Sequence, residues 1–551
     1  MTAIERPTRP TRPTESPGAR YWHRSLHDYA AMIRQGPGGR EGRPADPERF
    51  TRFGDLPRYP LPPPPRALGA LGRCLGPWHA GPGTGGPPPV PAPSAAFYSA
   101  LLHYSCGVFR TEFGPTARWP YHRAVPSARC FAPVETYLWT PGHDEVPAGV
   151  YAYDPAHHTL VLLRAGDFGA LLGAALGADI ADAVGVLLLS TVFWRTAFRY
   201  GAYAYRLCAQ ESGLVAGNAL MVAGALGAQG HLHHQFLDGP LERLTGVARP
   251  DESIAAVLAL YPGREDDGRP ILRSPAPHTE AALSAAIGPV TGRPAPPVTA
   301  VRSLGDLVAV DTAARLTGTA AFARLPHAVS PVPRAAGGAA VAGELADCLR
   351  RRTSGAPVFH PERRPVPLDA VLGAVGAALA PFVSDAVPDG SAPPVRAHVW
   401  AVDVTGAEDG LYEMTEHGLR HLGSVRIADL GLAAPNIHYR TVNAVVFLSV
   451  PREQAQAAFG DRGFRVLHHE AGVVAQRLCV LSTVAGLAAR VHNGYTARAV
   501  ADALRLPPGH EPVFQIALGT PGADERYLMP VPEHLPQTHG GSSARKAVPA
   551  A

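Results

Sequence analysis

Two stretches decide the reading of this chain: Pro133–Tyr151, PVETYLWTPGHDEVPAGVY, and Glu211–Phe236, ESGLVAGNALMVAGALGAQGHLHHQF. The first aligns without gaps on Pro394–Tyr412, PVRAHVWAVDVTGAEDGLY, at an offset of 261 (394 − 133). The second aligns on Glu470–Tyr495, EAGVVAQRLCVLSTVAGLAARVHNGY, at 259 (470 − 211). Two long matches at nearly one offset identify a tandem duplication with its seam near residue 300. Both copies carry one pattern. A strand (Val134–Trp139; Val395–Val404) precedes a tyrosine-containing strand (Val150–Tyr153; Leu411–Met414) and a buried apolar strand (Val184–Ser190; Val442–Val450). A long helix follows, from near Tyr205 or His468, with apolar residues at helical spacing. Interleaved strands and long helices predict two α+β domains.

The 551 residues are 46% hydrophobic and 17% charged, with mean hydropathy −0.01, which excludes a wholly disordered chain. Fifty basic residues against 46 acidic ones give no charge argument for a nucleic-acid partner. Lys546 is the only lysine, so a catalytic lysine in the folded body is excluded. The six cysteines (74, 106, 130, 208, 348, 479) form no C-x-x-C pair and read as reduced, mostly buried thiols of a cytoplasmic protein. The Pro- and Arg-rich opening has no apolar core and does not read as a secretory signal. The most apolar stretch, Phe168–Trp194, is broken by Asp179 and Asp182, so no membrane span is expected.

Low complexity marks residues 1–20, Leu61–Pro65, Gly81–Ser94 and the tail after Pro532 as loops or disordered. Gly288–Pro297 reads as a linker. The expected layout is an N-terminal arm and extension (1–89), domain one (90–300), domain two (301–532) and a disordered tail (533–551). The region before about residue 90 is a candidate for binding peptide or partner. The histidines His231, His233 and His234 lack metal-ligand spacing and read as loop or surface residues, as do His468 and His469, and no metal site is expected. No P-loop, Rossmann glycine fingerprint or serine-hydrolase elbow occurs.

Three motifs carry a family resemblance: Arg123-Ala-Val-Pro-Ser127, Gly149-Val-Tyr-Ala-Tyr-Asp-Pro155, and Val192-Phe-Trp-Arg-Thr-Ala-Phe-Arg-Tyr200 followed by Ala204-Tyr-Arg206. They resemble the SagB-type branch of the nitroreductase superfamily. The first copy matches over about 90–262; the second, about 343–520, is similar more loosely and keeps Glu470-Ala-Gly472. The resemblance implies FMN as cofactor and two tandem nitroreductase-like domains forming a pseudo-dimer within one chain, able to act as a monomer. It further implies oxidation of thiazoline or oxazoline rings in a modified precursor peptide, beside a cyclodehydratase. The family's Pro-Ser-Gly/Ala-Gly-Ala segment reads Pro126-Ser127-Ala128-Arg129-Cys130 here, and its Lys-Tyr pair reads Arg199-Tyr200.

Azoline oxidation removes a proton from one ring carbon and a hydride from its neighbour, to flavin N5. A tyrosine phenol, ordinarily titrating near ~10, needs a nearby cation to act as a base. Arginine can supply that cation but cannot be the base. Tyr200 is therefore the expected base, assisted by Arg199. For the flavin phosphate, Arg350-Arg-Arg-Thr-Ser354 resembles the superfamily's Arg-x-Ser-x-Arg/Lys motif, with Arg351 and Thr353 as arginine and hydroxyl and Gly355 at the third basic position. The first copy offers only Leu71-Gly-Arg-Cys74. Pro126, Ser127 and Ala128 complete the expected cofactor contacts. The second copy has no Pro-Ser, reading Gly390-Ser-Ala-Pro393 before Pro394, so one complete flavin site per chain is expected. Two alternatives stay open: a flavin reductase of dehydroamino acids in peptides, and a flavin-free scaffold for peptide or partner enzymes.

Overall fold

The computed structural model describes residues 15–35, 47–75, 93–263, 270–294, 299–326 and 341–531, apart from 115, 116, 118, 144, 275 and 525. The expectations for residues 1–14, most of Gly81–Ser94 and the tail from 532 lie outside the described residues.

The duplication is visible strand by strand. One sheet runs, in spatial order, Thr159–Ala165, Gly149–Asp154, Val134–Thr140, Gly185–Val192, Glu252–Pro262, Ala228–His233. The other runs Gly418–Gly423, Gly410–Thr415, Arg396–Ala401, Ala444–Pro451, His510–Gly519, Ala488–His492. These are the same six strands in the same order, all antiparallel. The central strands Gly185–Val192 and Ala444–Pro451 are almost wholly buried, as continuous runs of Val and Leu require.

Between the sheets lie two long helices, Ala204–Ala225 and Gly463–Leu481, the second starting five residues earlier than its sequence suggests. Both are buried on nearly every side, and the polar residues they carry, Arg206, Glu211, Arg465 and Glu470 among them, are buried with the apolar ones. Their contact depends on glycine. A Cβ at Gly213 would sit 2.5 Å from the His469 carbonyl oxygen, and one at Gly472 2.7 Å from the Cα of Gly213. Those backbone atoms cannot swing aside. Gly213→Ala is expected to cost about 1–3 kcal/mol or more by overpacking, read as a lower midpoint in urea unfolding; an unchanged midpoint would show that the crossing yields.

The copies also exchange edges. Val383–Ser384, from the second half of the chain, pairs in parallel with His231–Leu232 of the first sheet. Tyr527–Pro530, the last described strand, pairs with Val108–Phe113 of the first copy, which also pairs with Tyr121–Arg123. Before residue 90, Arg58–Pro60 adds to the first sheet and Leu71–Leu75 packs on the first central helix.

The opening arm differs from expectation at residues 17–20. They begin a helix, Pro17–His27, because Ser16 caps it through the Ala19 N–H and Pro17 occupies the first turn. Its Tyr21 and Trp22 pack edge-on against Phe464. The histidines are corrected too. His231, His233, His234, His468 and His469 are all buried, on a strand and its end or on the second central helix. All six cysteines are unpaired; five are buried, and Cys130 is half-buried. No helix among the described residues is long and apolar enough to cross a membrane.

Candidate active site

A cavity of about 1000 Å³ lies where the two copies meet. The first copy lines it with Pro126, Ser127, Ala128, Arg199, Tyr200 and Glu211; the second contributes Arg352, Thr353, Ser354, Arg490 and Asn493. Six of the seven residues expected from sequence thus share one space. Arg351 is the exception. Its side chain is exposed and, among the described residues, donates to Cys348, whereas the chain turns after Arg351 and buries Arg352 instead. The arginine-x-serine spacing is met one residue further on, by Arg352 and Ser354, whose side chains hydrogen-bond at 3.2 Å. Thr353 closes the following turn, its hydroxyl accepting the Gly355 N–H at 3.0 Å.

Gly355 brings no cation, and elements distant in sequence bring three. Arg110, Arg490 and Arg526 also line the cavity. Arg110 donates to the Arg352 carbonyl at 2.7 Å, and Arg490 to the carbonyls of Ser354 and Pro357 at 2.9 Å each. Burial, reinforced by Arg110, pulls the Arg352 guanidinium down to about 10. Burial, reinforced by Arg526, does the same to Arg490. The buried Nε atoms of Arg110 and Arg352 have no hydrogen-bond partner among the described residues. Crowded, desolvated guanidiniums with spare donors form a site for a bound anion. A phosphate fits this donor set.

The wall that the first copy contributes is held by Ser127. Its hydroxyl donates to Glu211 Oε2 at 2.7 Å and accepts the Ala132 N–H at 2.9 Å. The loop between is left-handed at Arg129 (φ 52°), Cys130 (φ 58°) and Ala132 (φ 46°). Such backbone favours glycine and costs of order 1–3 kcal/mol per residue elsewhere. Here it falls within the segment where the resembling family has its glycines. Tyr200 ends the helix Trp194–Tyr200, half-buried, and Phe131 meets its ring edge-on at 6.3 Å. Arg199 is exposed at the rim.

Glu211 was missed as a site residue, although the repeat marks it by aligning it on Glu470. Burial raises its carboxyl from 4.5 to about 7, against the Ser127 hydrogen bond, which lowers it. The sign of the stability effect follows. The unfolded carboxyl ionises first as pH rises, so the contribution is complete below about 4.5 and lost as pH passes 7. We expect ligand-free protein to lose up to about 3 kcal/mol across that window, and Glu211→Gln to abolish that component. Equal pH slopes in variant and parent would show that Glu211 ionises normally.

The pseudo-symmetric position is filled rather than open. Gln210 and Asn493 hydrogen-bond beside the cavity at 3.1 Å and 2.6 Å. Their counterparts 259 residues away, His469 and His234, meet at 3.2 Å between ring nitrogens. Glu470 takes the role of Glu211, bonded by Ser384 at 2.5 Å and by His234 at 2.7 Å. A serine therefore does stand opposite this glutamate, although no Pro-Ser precedes it. In the first site the cavity lies between the Ser127 loop and the strand Ala488–His492. In the second, Val383–Ser384 pairs directly onto the equivalent strand.

No protein-family model matches the chain. Over 105 residues it is 34% identical to a protein called a putative nitroreductase from Methanocaldococcus jannaschii, a match covering 18% of this chain and 52% of the relative. The chain thus spans about half the length of that curated relative. A crystal structure of a so-called putative nitroreductase from Anabaena variabilis aligns over 92% of this chain and 100% of its own, with a TM-score of 0.64 at 20% identity. That match runs through both copies, and the fold is nitroreductase-like across the chain. The Escherichia coli microcin synthetase complex with a truncated pro-peptide matches 31% of this chain and 63% of that one at 20% identity; its TM-score of 0.26 carries no argument.

Proposed function

We propose that this chain is an FMN-dependent dehydrogenase that oxidises thiazoline or oxazoline rings to thiazoles or oxazoles in a ribosomally made, modified peptide. The observation that carries the flavin reading is the cluster of Arg110, Arg352, Arg490 and Arg526 along the cavity, in which the buried Nε donors of Arg110 and Arg352 are unused while Arg526 is paired with Asp524. Arg352, Thr353 and Ser354 would hold the FMN phosphate, and Pro126, Ser127 and Ala128 would bound the flavin from the other copy. When bound, FMN supplies an acceptor for the hydride that leaves the azoline ring. The motif resemblance supports the ring chemistry through Arg123–Ser127, Gly149–Pro155 and Tyr200, while Arg199 stands where the family has lysine.

In this reading the protein contributes three things. The aromatic wall of Trp119, Phe131 and Phe198 gives a flat ring a surface to stack on; these rings lie 4.9–5.9 Å apart. Tyr200 takes the ring proton, helped by the positive charge of Arg199 at the rim. The Ser127 loop excludes water from the face it covers. A second reading of the base is favoured by one observation: Glu211, titrating near 7 and bonded to Ser127, has the acidity suited to proton transfer at neutral pH.

The deciding experiment is oxygen uptake by the purified yellow protein with an azoline-containing peptide and no added nicotinamide. Formation of the azole supports dehydrogenation. Reduction of a dehydroamino-acid peptide at the expense of nicotinamide would replace it with the reverse reaction, and a colourless protein without flavin would leave only a scaffold role. A modified precursor peptide and a cyclodehydratase are the partners this reading calls for, and the cytoplasm the compartment.

A further inference from the structure

Among the described residues five large hydrophobic side chains are strongly exposed, and three of them, Phe113, Tyr527 and Met529, sit together on one small sheet. Tyr527 is 75% exposed and pairs with Phe113; Met529, two residues on, pairs with Thr111, so all lie on one face. Soluble proteins rarely leave such a group bare on an edge strand.

The strand Tyr527–Pro530 is that edge. Val531 donates its N–H to the Phe109 carbonyl at 2.9 Å, and by the alternation of an antiparallel pair Tyr527 and Met529 also face the neighbouring strand. The N–H and C=O of Leu528 therefore point the other way, to the free edge. Leu528 and Arg526 also line the cavity. One strand thus joins the outward N–H and C=O of Leu528 and the outward C=O of Pro530, an exposed apolar face and the wall of the site.

We propose that an extended segment of the substrate peptide pairs with the free edge of Tyr527–Pro530 as an added strand, placing an apolar side chain over Phe113, Tyr527 and Met529 and leading the reacting residue into the cavity. The occupant is a peptide strand because the edge offers the N–H and C=O of Leu528 and, one strand repeat on, the C=O of Pro530, which has no N–H to give. It is the substrate's strand because the edge runs into the cavity. This rests on the peptide-substrate reading above.

The test uses the flavin-loaded full chain and a short synthetic peptide of alternating valine and threonine as the probe, at millimolar concentration. Hydrogen exchange should slow at the Leu528 amide, and a probe N-methylated at alternate residues should lose the effect. Tyr527→Ser with Met529→Ser should weaken probe binding about 10-fold or more, through lost apolar burial, with flavin content unchanged. No protection, or protection that survives the double substitution, overturns the proposal. Protection present without probe, lost together with a dimer in sedimentation when the two residues are changed, overturns it in favour of a second copy of the chain. Probe-dependent protection in a protein that retains no flavin would keep the peptide edge while refuting the flavin reading.

Discussion

Tyr200→Phe is expected to retain flavin and lose about 100-fold or more in turnover, the effect typical of removing a general base. The substitution deletes the one ionisable atom and keeps the ring that meets Phe131 in the cavity wall. Arg199→Lys preserves the charge at the rim and should retain activity; Arg199→Ala should impair it. The rival base gives a different pattern. If Glu211 takes the ring proton, Glu211→Gln abolishes turnover and erases the ascending limb of the pH profile near 7, while Tyr200→Phe changes little. Measuring kcat against pH for both variants separates them. Near-parental turnover in Tyr200→Phe eliminates the tyrosine as base.

The repeat was legible because duplication preserves sequence order, and six strands in each sheet follow it. Ser127 and Tyr200 were legible because each sits in a local motif. Arg110 and Arg526 were not, since strands far apart in sequence bring them together and nothing near either residue marks it. The misregister between Arg351 and Arg352 has a local cause. Three consecutive arginines satisfy one spacing rule in more than one frame, and only the end of the helix Leu345–Arg351 decides which of them turns inward. The buried histidines escaped for a related reason. A His-rich strand end reads as polar until its partners are known, and those of His234, Glu470 and His469, stand more than 230 residues away. Glu211 was within reach of the sequence: alignment of Glu211 on Glu470 pairs two glutamates inside apolar helices, where an ionisable group needs a reason.

One flavin per chain is the remaining expectation, and the two halves of the molecule have diverged in the way it requires. The cavity site keeps both contributions, the Ser127 loop from the first copy and Arg352 with Ser354 from the second. At the related position Ser384, His234, His469 and Glu470 bond to one another and fill the space, and the short helix Leu71–Leu75 offers a single arginine, Arg73. A flavin there would have to break the pairing of Val383–Ser384 with His231–Leu232 and strand a buried glutamate. Arg352→Ala removes a charge-assisted phosphate contact worth ~1.5–3 kcal/mol, so flavin should dissociate about 10- to 100-fold more readily. Arg351→Ala, at the exposed neighbour, is the control and should leave retention unchanged; Thr353→Ala should weaken it less than Arg352→Ala, since that hydroxyl already serves the turn at Gly355. Flavin released by denaturation and counted against protein measures the stoichiometry directly. Two flavins per chain, or retention lost with Arg351 and kept without Arg352, would overturn the single-site arrangement.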